Sequence, residues 1–465
     1  MALRTRNAAI LFKAESVEGS FEAPSAASDG VLVEAPDVQL NPQNVDTNEV
    51  TGSLDGRGPI VGGLQAKISF PVYLKGTGMP GVAPEFGDML RACGWAETIT
   101  RTDIVAGTIA AAAGGQFTDS ANGLAALTIG TAFHVSGFAA AGNNGEFRVT
   151  ASAVGSITVT KADGSAPGLI TEAAGAGITI RRGIAGVAAT AGTTTGFTAQ
   201  APWAAVAQLY RGMPVLIGGN PASPMSAFIS DYSVARLAAL TDLFGSALSA
   251  ASEVSIPANV LYAPASVAIP SGSMEVYRDG VVYRFKGCRG NVSFEFPAAG
   301  APRARFEFTG LYDSKADAAV PAVTYDSTRP GTFRNSRMLV NRAPAALQSI
   351  SLDSGAELQY PPNPNQSEGF DPPTHTRRNM VGSMDPNETL IATRDLMADF
   401  RAGTERILHA RVLGGLAATA GSRVGLTVPA AFFTGYRPGD RNGIATEELP
   451  FHAKGQDSGA FLCFW

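Results

Sequence analysis

The sequence predicts a mainly β fold built from long strands that bury one face and wet the other. Three observations carry that expectation. Residues 64–74, LQAKISFPVYL, place Leu64, Ala66, Ile68, Phe70, Val72 and Leu74 on one face and Gln65, Lys67, Ser69, Pro71 and Tyr73 on the other. A period of two belongs to a half-buried strand. The same alternation returns over 281–309, in VVYRFKG, NVSFEFP and RARFEFT. Composition agrees: only 16% of the 465 residues are charged while 53 are glycine, which suits strands joined by tight turns better than long solvated helices.

Taken in order, the 64–74 strand spans roughly 36 Å at ~3.3 Å per residue, long for a globular domain. Pro71 falls on its wet face, where a missing N–H does least harm. The next stretch, LKGTGMPGVAPEFGDMLRACGW, holds Gly76, Gly78 and Gly81 at the G-x-G-x-x-G spacing of a nucleotide cradle. A dinucleotide fold needs a strand buried on both faces, which reads as a continuous apolar run. Residues 64–74 alternate instead. Pro80 removes a backbone donor beside the supposed phosphate loop, and Val82 and Ala83 separate Gly81 from Pro84, where the helix is expected to open. The glycines are therefore read as a strand-to-helix connection. The helix, PEFGDMLRACG (84–94), carries Phe86, Met89, Leu90 and Cys93 as one apolar stripe and closes at Gly94.

Between 103 and 265 the composition shifts to Ala, Gly, Thr and Ser, with short β-type pieces such as AFHVSGF, GEFRVTA and SITVT. That pattern marks one or two small β domains inserted into a larger one. PAAGAP (297–302) reads as a hairpin loop, and TRDLMADFRAG (393–403) as a second helix. Two short echoes, TGSLDG (51–56) with VGSMDP (381–386) and FEFTGLYD (306–313) with AFFTGYRPGD (431–440), suggest a duplicated β unit.

No catalytic set is visible. Cys93, Cys288 and Cys463 are far apart and lack C-x-x-C spacing, so neither a disulfide framework nor a zinc cluster is expected, and a reducing cytoplasm suits the chain. Cys93 belongs to the buried stripe of its helix, at the end where the dipole disfavours a thiolate. His134, His375, His409 and His452 lack partners at ligand spacing, and His409 is expected on a sheet face. No nucleophile elbow or P-loop occurs. The expectation is a protein that is not an enzyme, with no catalytic residue, cofactor or metal. Net charge is −5 without a basic run, and Arg181–Arg182 and Arg377–Arg378 are read as solvated surface, so specific DNA binding is not expected. The apolar run in MALRTRNAAILFKAES is too short for a signal peptide, and no stretch approaches a membrane span. Trp203, Tyr210 and Tyr232 in the insert raise an alternative, a carbohydrate-binding or adhesion protein of a tail tip or cell surface. Their simpler role is to fill a small core.

Several stretches resemble one family, the major tail tube proteins of long, non-contractile-tailed (siphovirus-type) bacteriophages. ILFKAESVEGSFEAP, with Glu15 and Gly19, resembles that family's opening strand and loop. GTGMPGVAPEFGDMLRACGWAET resembles its glycine turn and helix, and YRDGVVYRFKGCRGNVSFEFPAAGAPRARFEFTGLY its strand pair. HVSGFAAAGNNGEFRVTA is similar to a small β module inserted into tail proteins. The resemblance covers 1–100 and 266–320 best and weakens in the C-terminal third. It implies a tail-tube β-sandwich with a flanking helix, duplicated here, with residues 1–102 and 266–320 as the first tube domain, 103–265 as inserted decoration and 321–465 as the second tube domain. The implied role is structural: self-association into stacked rings whose lumen conducts phage DNA during ejection without binding it specifically. Trimeric, pseudo-hexameric rings are expected over hexameric ones because the chain continues far past Lys315. The resemblance further implies tape-measure, tail terminator and baseplate partners, no membrane, and a place in the virion tail after assembly in the host cytoplasm. The polar face of 64–74 would line the lumen, and the loop TGSLDGRGPIVGG (51–63) would reach the next ring.

Overall fold

The computed structural model describes the chain except for residues 1–3, 48, 51, 53, 55, 56, 220–224 and 414–418. Strand makes up 49% of it and helix 4%, so the fold is mainly β. The strands of the body begin with β1 (Ala8–Ala14), β2 (Asp37–Val45), β3 (Ile60–Tyr73) and β4 (Trp95–Thr100). After two inserted units come β5 (Asn259–Pro264), β6 (Gly272–Arg278), β7 (Val281–Pro297) and β8 (Arg303–Asp317). The C-terminal part adds β9 (Arg337–Val340), β10 (Leu347–Asp353), β11 (Ala356–Gln359), β12 (Thr374–Arg378) and β13 (Val381–Pro386). It ends with β14 (Arg406–Val412), β15 (Val424–Phe433), β16 (Arg437–Arg441), β17 (Ile444–Ala453) and β18 (Phe461–Phe464).

Eight of these strands form one long antiparallel sheet in the order β2–β3–β8–β7–β10–β13–β17–β16. Its pairing pattern occurs twice. In the first half, β1 pairs β6, β6 pairs β7, β7 pairs β8, β8 pairs β3 and β3 pairs β2. In the second half, β9 pairs β14, β14 pairs β15, β15 pairs β17, β17 pairs β13 and β13 pairs β10. Even the irregularities repeat: the β6–β7 register slips between Gly272 and Met274, and the β14–β15 register between Arg406 and Leu408. The halves meet where β7 pairs β10, Phe294 opposite Leu352.

Alternation explains why the long sheet needs a second layer. Its apolar face carries Ile68, Phe70, Val72, Phe306, Phe308, Phe294, Leu352 and Leu449, each at most 1% exposed. The covering layer is built around β4–β5–β18–β15. Strands β7 and β15 turn from one layer into the other and so close the sandwich at its corners. One continuous core runs through both halves. Helix α1 (Gly87–Ala92) plugs it with Met89, Leu90 and the adjoining Phe86 and Cys93, all fully buried as the stripe predicts. It starts later than Pro84, because the Pro84 carbonyl accepts from the Gly87 N–H (2.8 Å) and makes a turn of 84–86. Helix α2 (Leu396–Ala402) is capped by the Asp395 carboxylate, which accepts from Ala398 N–H, and closes at Gly403 with φ +63°.

The inserts are two seven-stranded sheets with the same strand order, one spanning 102–182 and the other 184–256. The first has its own core. The second shares its core with Leu261, Phe461 and Trp465 of the body, so it is welded to the body instead of hanging from it. Strand β5, inside the stretch expected to be insert, pairs with β4 and β18 and belongs to the body.

The two sequence echoes do not mark equivalent positions. VGSMDP is β13, whose counterpart by pairing is Lys67–Val72 in β3, while Thr51, Ser53, Asp55 and Gly56 of the first echo lie outside the described residues. FEFTGLYD lies in β8, but AFFTGYRPGD spans β15 and β16, the counterpart of β7. Pairing conserves only alternation, so equivalent strands need share no short word.

Candidate functional site: an open-ended sheet and its arms

The second face of the long sheet is polar and uncovered along much of its length. Lys67, Ser69, Arg303, Arg305, Glu307, Ser293, Glu295, Ser351, Ser383 and Glu448 lie on it, intermediate or exposed. Charges of both signs are interspersed. Lys67 Nζ sits 3.1 Å from Glu307, Arg305 3.6 Å from the same carboxylate, and Arg437 3.6 Å from Glu448. Exposed pairs of this kind add little stability. Their effect is a surface without a basic stripe, on which a polyanion finds no continuous row of cations. Serines occupy the middle, with Ser351 and Ser383 hydroxyls 3.0 Å apart.

Both ends of this sheet are open. Among the described residues β2 pairs only with β3, and β16 only with β17. A sheet edge with free N–H and C=O groups is a template for another strand.

Each half also carries a hairpin arm beyond the sandwich. In the first, Pro42 pairs Leu64, Asn44 pairs Val61 and Val45 pairs Ile60. In the second, Ala356 pairs Arg378, Leu358 pairs His375 and Gln359 pairs Thr374, with the register slip in the same place. These sets correspond residue for residue. The second arm is packed on the first half of its own chain. Tyr360 Oη donates to the Gly310 carbonyl (3.0 Å), and His375 Nε2 donates to that of Gly290 (3.0 Å). Arg289 Nη1 reaches the Pro373 carbonyl (3.0 Å) and Glu18 (2.6 Å). The first arm is held at its base, where Leu64 N–H donates to Glu368 (2.7 Å), but its outer end touches little: Val45, Ile60 and Val61 are 59%, 61% and 63% exposed.

The residues that the sequence singled out fall elsewhere. Gly78 and Gly81 have φ of +75° and +68°, but their loop turns inward. Gly78 N–H donates to the Gly421 carbonyl, and a Cβ on Gly76 would strike that same oxygen. The loop's own carbonyls at Pro80 and Gly81 accept from Arg181 and Arg101. It is a packed connection whose outward groups attract cations, the reverse of a phosphate cradle. Cys93, Cys288 and Cys463 are fully buried, and burial pushes each thiol up. Trp203, Tyr210 and Tyr232 stack edge to face inside the second insert, with Trp203 and Tyr232 fully buried, so they offer no platform to a sugar. The arginine pairs are not solvated as expected. Arg181 is 9% exposed and forks onto Asp103 (2.9 and 3.1 Å), which holds that carboxyl below its usual value, and Arg378 binds the carbonyls of Gly94 and Ala265. Only Arg377 stays in water. Among the described residues no three His, Cys, Asp or Glu side chains gather closely enough to hold a metal ion.

Sequence reading missed a buried polar cluster that joins the second insert to the body. Arg411 (1% exposed) donates from Nη2 to both Asp242 carboxylate oxygens (2.9 and 2.7 Å) and from Nη1 to the Ser226 carbonyl (2.8 Å). Arg337 adds a second cation on Asp242 (2.8 Å). Arg411 Nε–H points at His409 Nε2 (3.3 Å), so the imidazole proton sits on Nδ1 and is donated to Thr427 Oγ1 (2.8 Å). Burial and the neighbouring Arg411 hold His409 well below the usual imidazole range. The sequence signal, a charge inside the apolar alternation of β14, was visible, but its partner lies in a distant insert.

A chain whose main sheet is open at both ends has the build of a structural protein that joins edges with its own copies. Residues 225–453 match the family described as phage tail tube protein, which supports a structural role in a phage tail tube and self-assembly into that tube. No curated protein matches the chain. None of the described helices is long and apolar enough to cross a membrane.

Proposed function

We propose that this chain is the major tube subunit of a siphovirus-type tail, and that three copies close each ring. Residues 1–101 with 257–320 supply one tube unit and residues 321–465 the other, while the two inserted sheets of 102–256 decorate the outside. Three chains of eight strands give about two dozen strands at ~4.8 Å spacing, a barrel roughly 40–50 Å across once strand tilt is included. The polar face lines the lumen, and its mixed charges let DNA pass during ejection without holding it. Tape-measure, terminator and baseplate proteins are the expected contacts of the finished tube. The observation that carries this reading is the twice-repeated pairing pattern in a sheet open at both ends. Electron microscopy of the purified full chain tests it: stacked rings with three-fold symmetry are expected. Rings of six chains would remove the trimer, and a monomer at high concentration would remove the tube.

A further inference from the structure

The seam between the two halves of one chain is a template for a seam between chains. Within the chain, β10 lies on the edge of β7 with Asp353 opposite Ser293, Leu352 opposite Phe294 and Ser351 opposite Glu295. The repeated pairing makes Gln39, Val38 and Asp37 of β2 the counterparts of Asp353, Leu352 and Ser351. It makes Arg437, Pro438 and Gly439 of β16 the counterparts of Ser293, Phe294 and Glu295. Both counterpart edges are the open ones. The arms extend the same relation. Where the second arm presents Thr374 and His375, the first presents Ile60 and Val61. Where the receiving strand has Arg289, β15 has Phe432, because Arg289 pairs Thr309 as Phe432 pairs His452. Phe432 is only partly buried, with Lys454 over its ring. Thus where the arm meets the receiving strand the inner contact is polar on both sides, and its counterpart is apolar on both sides. A two-stranded ribbon with apolar residues in water is marginal alone.

Resting on the ring reading above, we propose that the β2–β3 arm of one chain lies along β15–β16 of a second copy in the same ring. Strand β2 pairs β16 with Gln39 opposite Arg437 and Val38 opposite Pro438, and Val61 of the arm covers Phe432. The occupant of each open edge is therefore the other open edge, and the contact is head-to-tail, as ring closure requires.

Cysteine pairs in the full chain test the register. Gln39→Cys with Arg437→Cys, oxidised at assembly concentration, gives covalent oligomers on a non-reducing gel, and neither single variant does. Ser293→Cys with Asp353→Cys, the same geometry inside one chain, closes without raising the mass. Asn41→Cys with Arg437→Cys, two residues out of register, stays uncoupled. Rings in the microscope together with a closed inner pair and an uncoupled Gln39/Arg437 pair would overturn the seam and leave the ring reading intact. Absence of any assembly overturns both. Val61→Asp, at an exposed site, raises the concentration needed for assembly at least tenfold while the subunit's melting temperature stays put. Unchanged assembly by that variant removes the arm from the seam.

Discussion

The two arms share a register and a bulge but differ in surroundings. Residues 356–378 lie against their own chain through Arg289, His375 and Tyr360. The corresponding strand ends around Val45 and Ile60 stand in water. The difference follows from tethering. An arm joined to its receptor by a short connection docks at a high effective concentration, so hydrogen bonds that mostly fix orientation are enough. An arm that must find another molecule has to offset lost translational and rotational freedom, and apolar burial does that best. A repeated unit therefore has reason to keep its inner arm contact polar and its outer one apolar.

The largest effect separating the two seams comes from Arg289→Ala. It removes a buried guanidinium that satisfies Glu18 and two carbonyls, and should cost the isolated subunit about 2–3 kcal/mol by chemical denaturation. Tyr360→Phe removes one hydrogen bond from the same seam and should cost about 1 kcal/mol. Its expected signature is faster amide exchange over 356–378 rather than a changed midpoint elsewhere. Phe432→Ala, at the position equivalent to Arg289, should cost the isolated subunit about 1 kcal/mol, yet clearly weaken ring assembly in sedimentation. Equal destabilisation by the Arg289 and Phe432 variants would erase the contrast.

The smallest expected effect is a pH dependence that only the inner seam possesses. Burial lowers the His375 pKa, and its Nε2–H bond to Gly290 is made by the neutral ring. A lowered folded-state value means that the unfolded chain takes up the proton first. The stability held by neutral His375 is then complete above about pH 6.5 and is lost as pH falls below it. Tryptic cleavage at the exposed Arg377 should accelerate between pH 7 and 5, and His375→Gln should flatten that rise. The first arm, with Val61 at the equivalent place, should show no such step. His409 behaves with the same sign but acts on the junction between body and second insert, where Arg411, Arg337, Asp242 and Thr427 surround it, so it shifts global melting instead.

Local order was legible in the residues themselves. The alternation of 64–74 foretold which side chains of β3 are buried, and the stripe of Phe86, Met89, Leu90 and Cys93 foretold the face of α1, because both depend on neighbours a few positions away. Cys93 as core and the glycine loop as a connection followed from the same local rules. Arg181 was misread because its partner Asp103 and the Pro80 carbonyl come from distant chain segments. The two short echoes pointed to a repeat but not to its alignment, since what occurs twice is a pattern of hydrogen-bonded neighbours and not a string of letters.

By itself the amino-acid order determined the one-sided strands and the helical stretches near 84–94 and 393–403. Period, turn residues and charge density act over a few bonds and need no knowledge of the fold. Only the tertiary structure decided which strands are neighbours, that the second insert is fused to the body through Arg411 and Asp242, and that the edges left open are β2 and β16. Those outcomes depend on closure of long loops and on pairings between residues hundreds of positions apart, to which local pattern is blind.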